Sequence, residues 1–235
     1  MTHLIYGYPT VSDSMALLDL LDLHSRYIEI QIPFSDPIAD GTIISDANTS
    51  TLKQKIEMED VFEVIWQKRG LHSDILIMCY FHTIYHYGIE SFMRSAKSAW
   101  IYGIIVPDIP LDEPEWELIY RLCQEYWLYF IVTVSPRTSD TRLSLLSEYA
   151  QGFIYAISAN MTTGTAGTFE GEFDDYIDNL RRHFTIPIGV WFWVRSGQDV
   201  EKVNSVADFS IIGSQIVSLM TLWWLSAVRE FLENL

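Results

Sequence analysis

Eight short apolar segments, each followed by a helix-patterned segment, run through this chain in strict alternation. The strand-like segments are HLIYGY (3–8), YIEIQI (27–32), DILIMCYF (74–81), IYGIIVPDI (101–109), LYFIVTV (128–134), GFIYAIS (152–158), PIGVWFWV (187–194) and DFSIIGS (208–214). Helical patterns follow at 12–24, near 46–69, 88–98, 111–126, 138–149, 171–183 and 197–205, and a last one runs to the end of the chain. Ser12 is expected to cap the first helix, and Pro114 sits where a helix tolerates proline, in its first turn. Continuous apolar strands fit a parallel sheet covered on both faces, and eight strand–helix units predict a closed (β/α)8 TIM barrel of the α/β class. An open doubly wound sheet is the alternative, but the first turn, YGYPTVSDS, carries no G-x-G-x-x-G. A length of 235 residues suits one barrel, so a single domain over 1–235 is expected.

Composition narrows the function classes. With 49% hydrophobic residues and a formal charge of −16, the chain can fill a core but repels phosphate backbones and anionic lipid, which disfavours nucleic-acid and membrane partners. MTHLIYGYPT has no basic start or long apolar run of a signal peptide, and no stretch approaches a spanning helix, so a cytoplasmic location is expected. Cys79 and Cys123 lie in apolar contexts and read as buried thiols rather than a disulfide or metal site.

The chemistry-bearing residues cluster after the second strand. Glu29 shares a strand face with Tyr27 and Gln31, while Ile28, Ile30 and Ile32 share the other. If the isoleucines face the helices, Glu29 points into the barrel, where a carboxylate is costly unless it is paired or moves protons. A structural glutamate bonded to buried polar groups is the competing reading. Asp36 and Asp40 lie on the loop that follows, where barrel enzymes carry their active sites, although Asp-Gly and Asp-Pro are also ordinary turn signals.

The whole segment IEIQIPFSDPIADG resembles the signature of the tryptophan synthase alpha subunit. YGYP, GIIVPDIPLDE, YFIVTVSPRT, GFIYAIS…TTGTAG and ADFSIIGSQIV resemble the same family's first, fourth, fifth, sixth and eighth strands with their turns. The resemblance implies a (β/α)8 lyase that cleaves indole-3-glycerol phosphate to indole and glyceraldehyde 3-phosphate in tryptophan biosynthesis. It implies Glu29 and Asp40 as catalytic acids, and Tyr155, Thr163, Gly164, Gly213 and Ser214 as substrate- and phosphate-binding residues, with Tyr155 near Asp40. It implies Pro33 and Asp36 on the face toward a beta subunit. No cofactor or metal is implied for this chain; pyridoxal phosphate belongs to the beta partner. Backbone N–H groups of glycine turns and a helix N-terminus can hold a phosphate without Lys or Arg, which suits this acidic chain.

The pattern also departs from the family. The family's Gly-Phe-Gly at the seventh strand reads Trp191-Phe192-Trp193 here, and alternation puts the two indoles on one face. If that face is the interior, they crowd the substrate; if not, they pack under helices. Trp100 and Trp127 stand at helix-to-strand turns where a left-handed glycine is expected. Phe209 is a similar exchange, Tyr102 replaces an aspartate, Ala159 replaces a loop arginine, and His82-Thr83 replaces an Asn-Pro turn. The first strand starts at residue 3, so the family's leading N-terminal helix reads as missing. Two readings stay open: an alpha-type lyase, or a redesigned or catalytically silent barrel scaffold whose phosphate site is blocked by aromatics and whose exposed tryptophans promote self-association.

Overall fold

In the computed structural model, which describes residues 1–158, 169–192, 194–222 and 224–235, eight parallel strands follow one another around a barrel in chain order. They are β1 (Thr2–Ile5), β2 (Tyr27–Gln31), β3 (Asp74–Met78), β4 (Gly103–Ile105), β5 (Tyr129–Val134), β6 (Ile154–Ile157), β7 (Ile188–Trp191) and β8 (Phe209–Ile211). A parallel bridge between Thr2 and Ile212, with the His3 N–H donating to the Ile212 carbonyl at 2.9 Å, joins the last strand to the first. The (β/α)8 barrel expected from the alternation is what the chain forms.

The intervening helices are α1 (Val11–Asp22), α2 (Thr42–Leu52), α3 (Met58–Gln67), α4 (Phe81–Tyr87), α5 (Ile89–Ser98), α6 (Pro114–Tyr126), α7 (Asp140–Ser147), α8 (Phe169–His183), α9 (Gly197–Asn204), α10 (Ser214–Leu222) and α11 (Trp224–Glu233). Several expectations need correction. Thr10, not Ser12, caps α1: its hydroxyl accepts the Asp13 N–H. The helix expected near 46–69 is two, because Lys55 adopts a left-handed φ of 52 between α2 and α3. A further helix, α4, precedes the one expected at 88–98, and Gly88 at φ 93 makes the corner between them. The last helix is also two, and α11 starts at Trp224 with φ 67.

Two layers of packing follow from the strand alternation. Ile28, Ile30 and Ile32 join Leu17, Leu21 and Phe62 in the shell between strands and helices. Leu76, Met78, Ile105, Ile131, Tyr155 and Ile211 fill the lumen. At the amino ends of the strands the lumen is floored by rings: Tyr27 lies 5.3 Å from Phe153 and 5.7 Å from Phe209, and Tyr102 lies 5.5 Å from Tyr27 and 4.5 Å from Tyr129. Phe209 rests on Gly189, where an added Cβ would meet the ring at 2.3 Å, so only glycine admits this floor. Tyr102, in place of an acid, is a member of this floor. Cys79 and Cys123 are both free and buried, as their apolar surroundings predict.

Trp100 and Trp127 hold the left-handed turns expected of them, at φ 62 and 59, and their rings are 75% and 83% exposed. Among the described residues, no helix is long and apolar enough to cross a membrane.

Candidate active site

Glu29 occupies the middle of β2 in register with His3 of β1 and Leu76 of β3. Because Ile28 and Ile30 face the helices, Glu29 faces the lumen, only 2% exposed. Its two oxygens are separately held. The Tyr155 hydroxyl donates to Oε2 at 3.1 Å, and Nδ1 of buried His3 lies 3.3 Å from Oε1. Burial first, and the Glu29 carboxylate second, push the Tyr155 hydroxyl well above its ordinary pKa, so it stays a donor.

Asp40 stands on the loop after β2 and faces the same cavity. Gln31, on the same face of β2 as Glu29, donates its amide to Asp40 Oδ2 at 2.6 Å, and the Tyr80 hydroxyl donates to that oxygen at 3.2 Å. The Ala39 N–H donates in turn to the Tyr80 oxygen at 3.0 Å, which fixes the loop against β3. Burial raises the Asp40 carboxyl above the ordinary aspartate range, the Gln31 bond and the nearby His3 oppose this, and the Glu29 charge adds to it. The resemblance implies Tyr155 near Asp40; the two line one cavity and the Asp40 charge reaches the Tyr155 hydroxyl, while the hydrogen bond of Tyr155 goes to Glu29 and Tyr80 is the tyrosine bonded to Asp40. The reason is alternation: Tyr155 projects into the lumen from β6 toward β2, whereas Tyr80, just past β3, reaches the loop.

Both acids line one cavity of ≈ 210 Å³ at the carboxyl ends of the strands, together with His3, Tyr155, Trp191 and Ser214. Its described lining contains no Lys or Arg. Ser214 opens α10, whose N-terminus adjoins the cavity, and Gly213 precedes it. Trp191 turns inward: its ring stacks at 6.1 Å on Tyr155 and meets His3 edge-on at 5.3 Å. It also covers Gly213, whose added Cβ would lie 2.0 Å from the indole. Phe192 packs on Phe173 of α8, outside the barrel. Of the remaining candidates, Pro33 is half-buried and Asp36 exposed on the β2 loop, beside Ile38, which is 82% exposed. Thr163, Gly164, Ala159 and Trp193 lie outside the described residues.

Sequence reasoning does not single out His3, Gln31 or Tyr80. Gln31 is legible as a face-mate of Glu29 by alternation. Tyr80 continues the inward alternation Leu76, Met78, Tyr80, and His3 becomes visible only once β1 and β2 are set in register.

Two carboxylates at the carboxyl-end mouth of a (β/α)8 barrel, one of them buried with a hydrogen bond from β6 and a histidine nitrogen of β1 at 3.3 Å, fit the class of acid–base barrel enzymes. Comparison with known proteins makes this specific. Residues 1–224 match the family model described as tryptophan synthase alpha chain. The tryptophan synthase alpha chain of Desulfotalea psychrophila is 33% identical over 100% of this chain and 92% of its own length, and that of Clostridium beijerinckii is 34% identical over 96% and 87%. Among solved structures, tryptophan synthase subunit alpha from Campylobacter jejuni superposes with a TM-score of 0.89 at 32% identity, covering 99% of this chain and 93% of that one. The tryptophan synthase A-subunit from Pyrococcus furiosus superposes with a TM-score of 0.90 at 25% identity, covering 99% and 95%. This chain belongs to the tryptophan synthase alpha chain family. Its function is that of an alpha subunit in tryptophan biosynthesis, a lyase's role, and similarity over the full chain favours this over the scaffold reading.

Proposed function

We propose that this chain cleaves indole-3-glycerol phosphate to indole and glyceraldehyde 3-phosphate, with Glu29 as proton carrier and Asp40 as the group that receives the indole nitrogen. The reading is carried by one observation: Glu29 is buried in the lumen, yet it borders an open cavity with Asp40 on the same wall. The cleavage needs a proton delivered to indole C3, which places positive charge on the ring nitrogen. The hydroxyl on the adjacent glycerol carbon then loses its proton, its oxygen forms the aldehyde, and the C3–carbon bond pair returns to the ring. One proton enters and one leaves, so a single carboxyl that first gives and then takes suffices. Asp40, kept from full stabilisation by burial, gains most when the nitrogen N–H becomes acidic and charged, which favours the transition state over the ground state. Tyr155 and His3 hold Glu29 in place.

The same reading assigns Tyr155 and Ser214 to the substrate cavity, with Gly213 behind them, and gives Thr163 and Gly164, outside the described residues, a substrate-binding role. It assigns Pro33 and Asp36, at the rim of the mouth beside exposed Ile38, to the surface that meets a beta subunit carrying pyridoxal phosphate. This chain needs no cofactor of its own for the step, and the reading places the enzyme in the cytoplasm. Self-association, if the isolated chain shows it, would run through exposed Trp100 and Trp127.

Indole release from indole-3-glycerol phosphate tests the assignment, with Glu29→Gln as its probe. The expected loss is roughly 100- to 10,000-fold in kcat, the usual worth of a general acid–base group. Undiminished turnover in Glu29→Gln would remove Glu29 from the mechanism.

A further inference from the structure

We propose that residue 191 decides whether this cavity holds an anion, and that tryptophan there closes the seat. This inference rests on the reading that the cavity is the lyase site. Two observations mark the seat. The N-terminus of α10, beginning at Ser214, adjoins the cavity and carries partial positive charge. Nε2 of His3, 1% exposed and without a hydrogen-bond partner, lines the same cavity. Between them stands the Trp191 ring, edge-on to His3 and pressed on Gly213. Its backbone cannot easily retreat: the Trp191 carbonyl accepts the Ser158 hydroxyl at 2.6 Å and the Ser158 N–H at 3.3 Å. The indole therefore shields the Gly213 backbone from any phosphate. The cavity left, ≈ 210 Å³, falls below the roughly 300–1,000 Å³ of ordinary small-molecule sites. With tryptophan at 191 the substrate's phosphate gains nothing from this seat and indole-3-glycerol phosphate is held by its indole end alone; with glycine the seat takes the phosphate as well.

Calorimetric titration with inorganic phosphate and with glycerol phosphate tests this directly. The Trp191 chain should show no saturable binding at millimolar concentration, and Trp191→Gly should show it. In parallel, the preference for indole-3-glycerol phosphate over the same compound without its phosphate should rise roughly 100-fold or more in Trp191→Gly. Saturable phosphate binding by the Trp191 chain would overturn the proposal, as would a folded Trp191→Gly that gains none. Trp191→Ala serves if the glycine variant does not fold. Should no variant release indole while Trp191→Gly still gains phosphate, the lyase reading fails and this one stands.

A different observation carries a second inference. Among the described residues, four non-glycines have left-handed φ, and three are tryptophan: Trp100 at 62, Trp127 at 59 and Trp224 at 67. An L side chain there is strained, and these large rings recover little by packing, being 75%, 83% and 59% exposed. Trp66 and Trp116 differ: both sit inside helices, Trp66 under the Arg69 guanidinium at 4.3 Å and Trp116 against Phe130 at 4.7 Å. Among the described residues, tryptophan thus divides into residues that fit their sites, residues that stand where backbone geometry asks for glycine, and Trp191, which presses on Gly213. We infer that the second group, with Trp191, is glycine in the protein its own cell makes, encoded by UGA, a codon that one variant of the genetic code reads as tryptophan and another as glycine. Peptide mass spectrometry of the protein from its native source decides it. Glycine at 100, 127, 191 and 224, with tryptophan at 66 and 116, is the expected result. Tryptophan at all six positions would overturn it.

Discussion

The two ends of this barrel share their strands but not their chemistry. At the amino ends, Tyr27, Tyr102, Phe153 and Phe209 interlock into an apolar floor. At the carboxyl ends, Gln31 and Tyr80 hydrogen-bonded to Asp40, and Tyr155 hydrogen-bonded to Glu29, form a polar mouth around a cavity. Within one strand, Tyr27 serves the floor and Glu29 and Gln31 the mouth, all on the same face. The difference teaches how this fold divides its labour: the closed end supplies burial, so that the open end can hold carboxylates at a cost to stability.

That division can be broken most severely at the floor. Phe153→Ala removes a ring that is 1% exposed and touches both Tyr27 and Phe209, and should cost about 3–5 kcal/mol in denaturant unfolding. The kcat of the fraction that remains folded should not change; a kcat falling with stability intact would mean the ends are coupled. The turns at the floor act in the opposite direction. Trp127→Gly relieves a left-handed non-glycine and should stabilise by about 1 kcal/mol without altering turnover.

The smallest effect on stability, and a large one on activity, is expected at the mouth. Burial raises the Asp40 carboxyl, so its contribution to stability is fully present below the unfolded value of 3.8 and is lost as pH rises through the folded one. Asp40→Asn, neutral throughout, should therefore be the more stable protein at neutral pH, read by denaturant unfolding, while losing most of its indole release. The same shift puts the acid limb of kcat above pH 3.8, read from a pH–rate profile of the unsubstituted chain. An acid limb at or below that value would place the ionised group elsewhere.

Much of this division is legible in the amino-acid sequence. Period-two alternation alone turns Glu29 inward and Ile28 outward, because a covered parallel strand leaves no other arrangement. The glycine-like turns at Trp100 and Trp127 are legible from their place between helix and strand. The break at Lys55 is not, since lysine gives no local signal for a left-handed residue. The His3–Glu29 pair depends on register between two strands whose paired residues are 26 apart in sequence, and register is not written in either strand alone. The inward turn of Trp191 depends on whether the lumen has room, which the glycine at 213 supplies.

Deuterium exchange at C3 of indole itself, followed by NMR in heavy water, tests the central claim without needing the phosphate seat. Exchange requires only that a group in the lumen give a proton to C3 and take one back. The account predicts that this chain accelerates the exchange, that Trp191→Gly retains the acceleration, and that Glu29→Gln abolishes it. Exchange that persists undiminished in Glu29→Gln would contradict it.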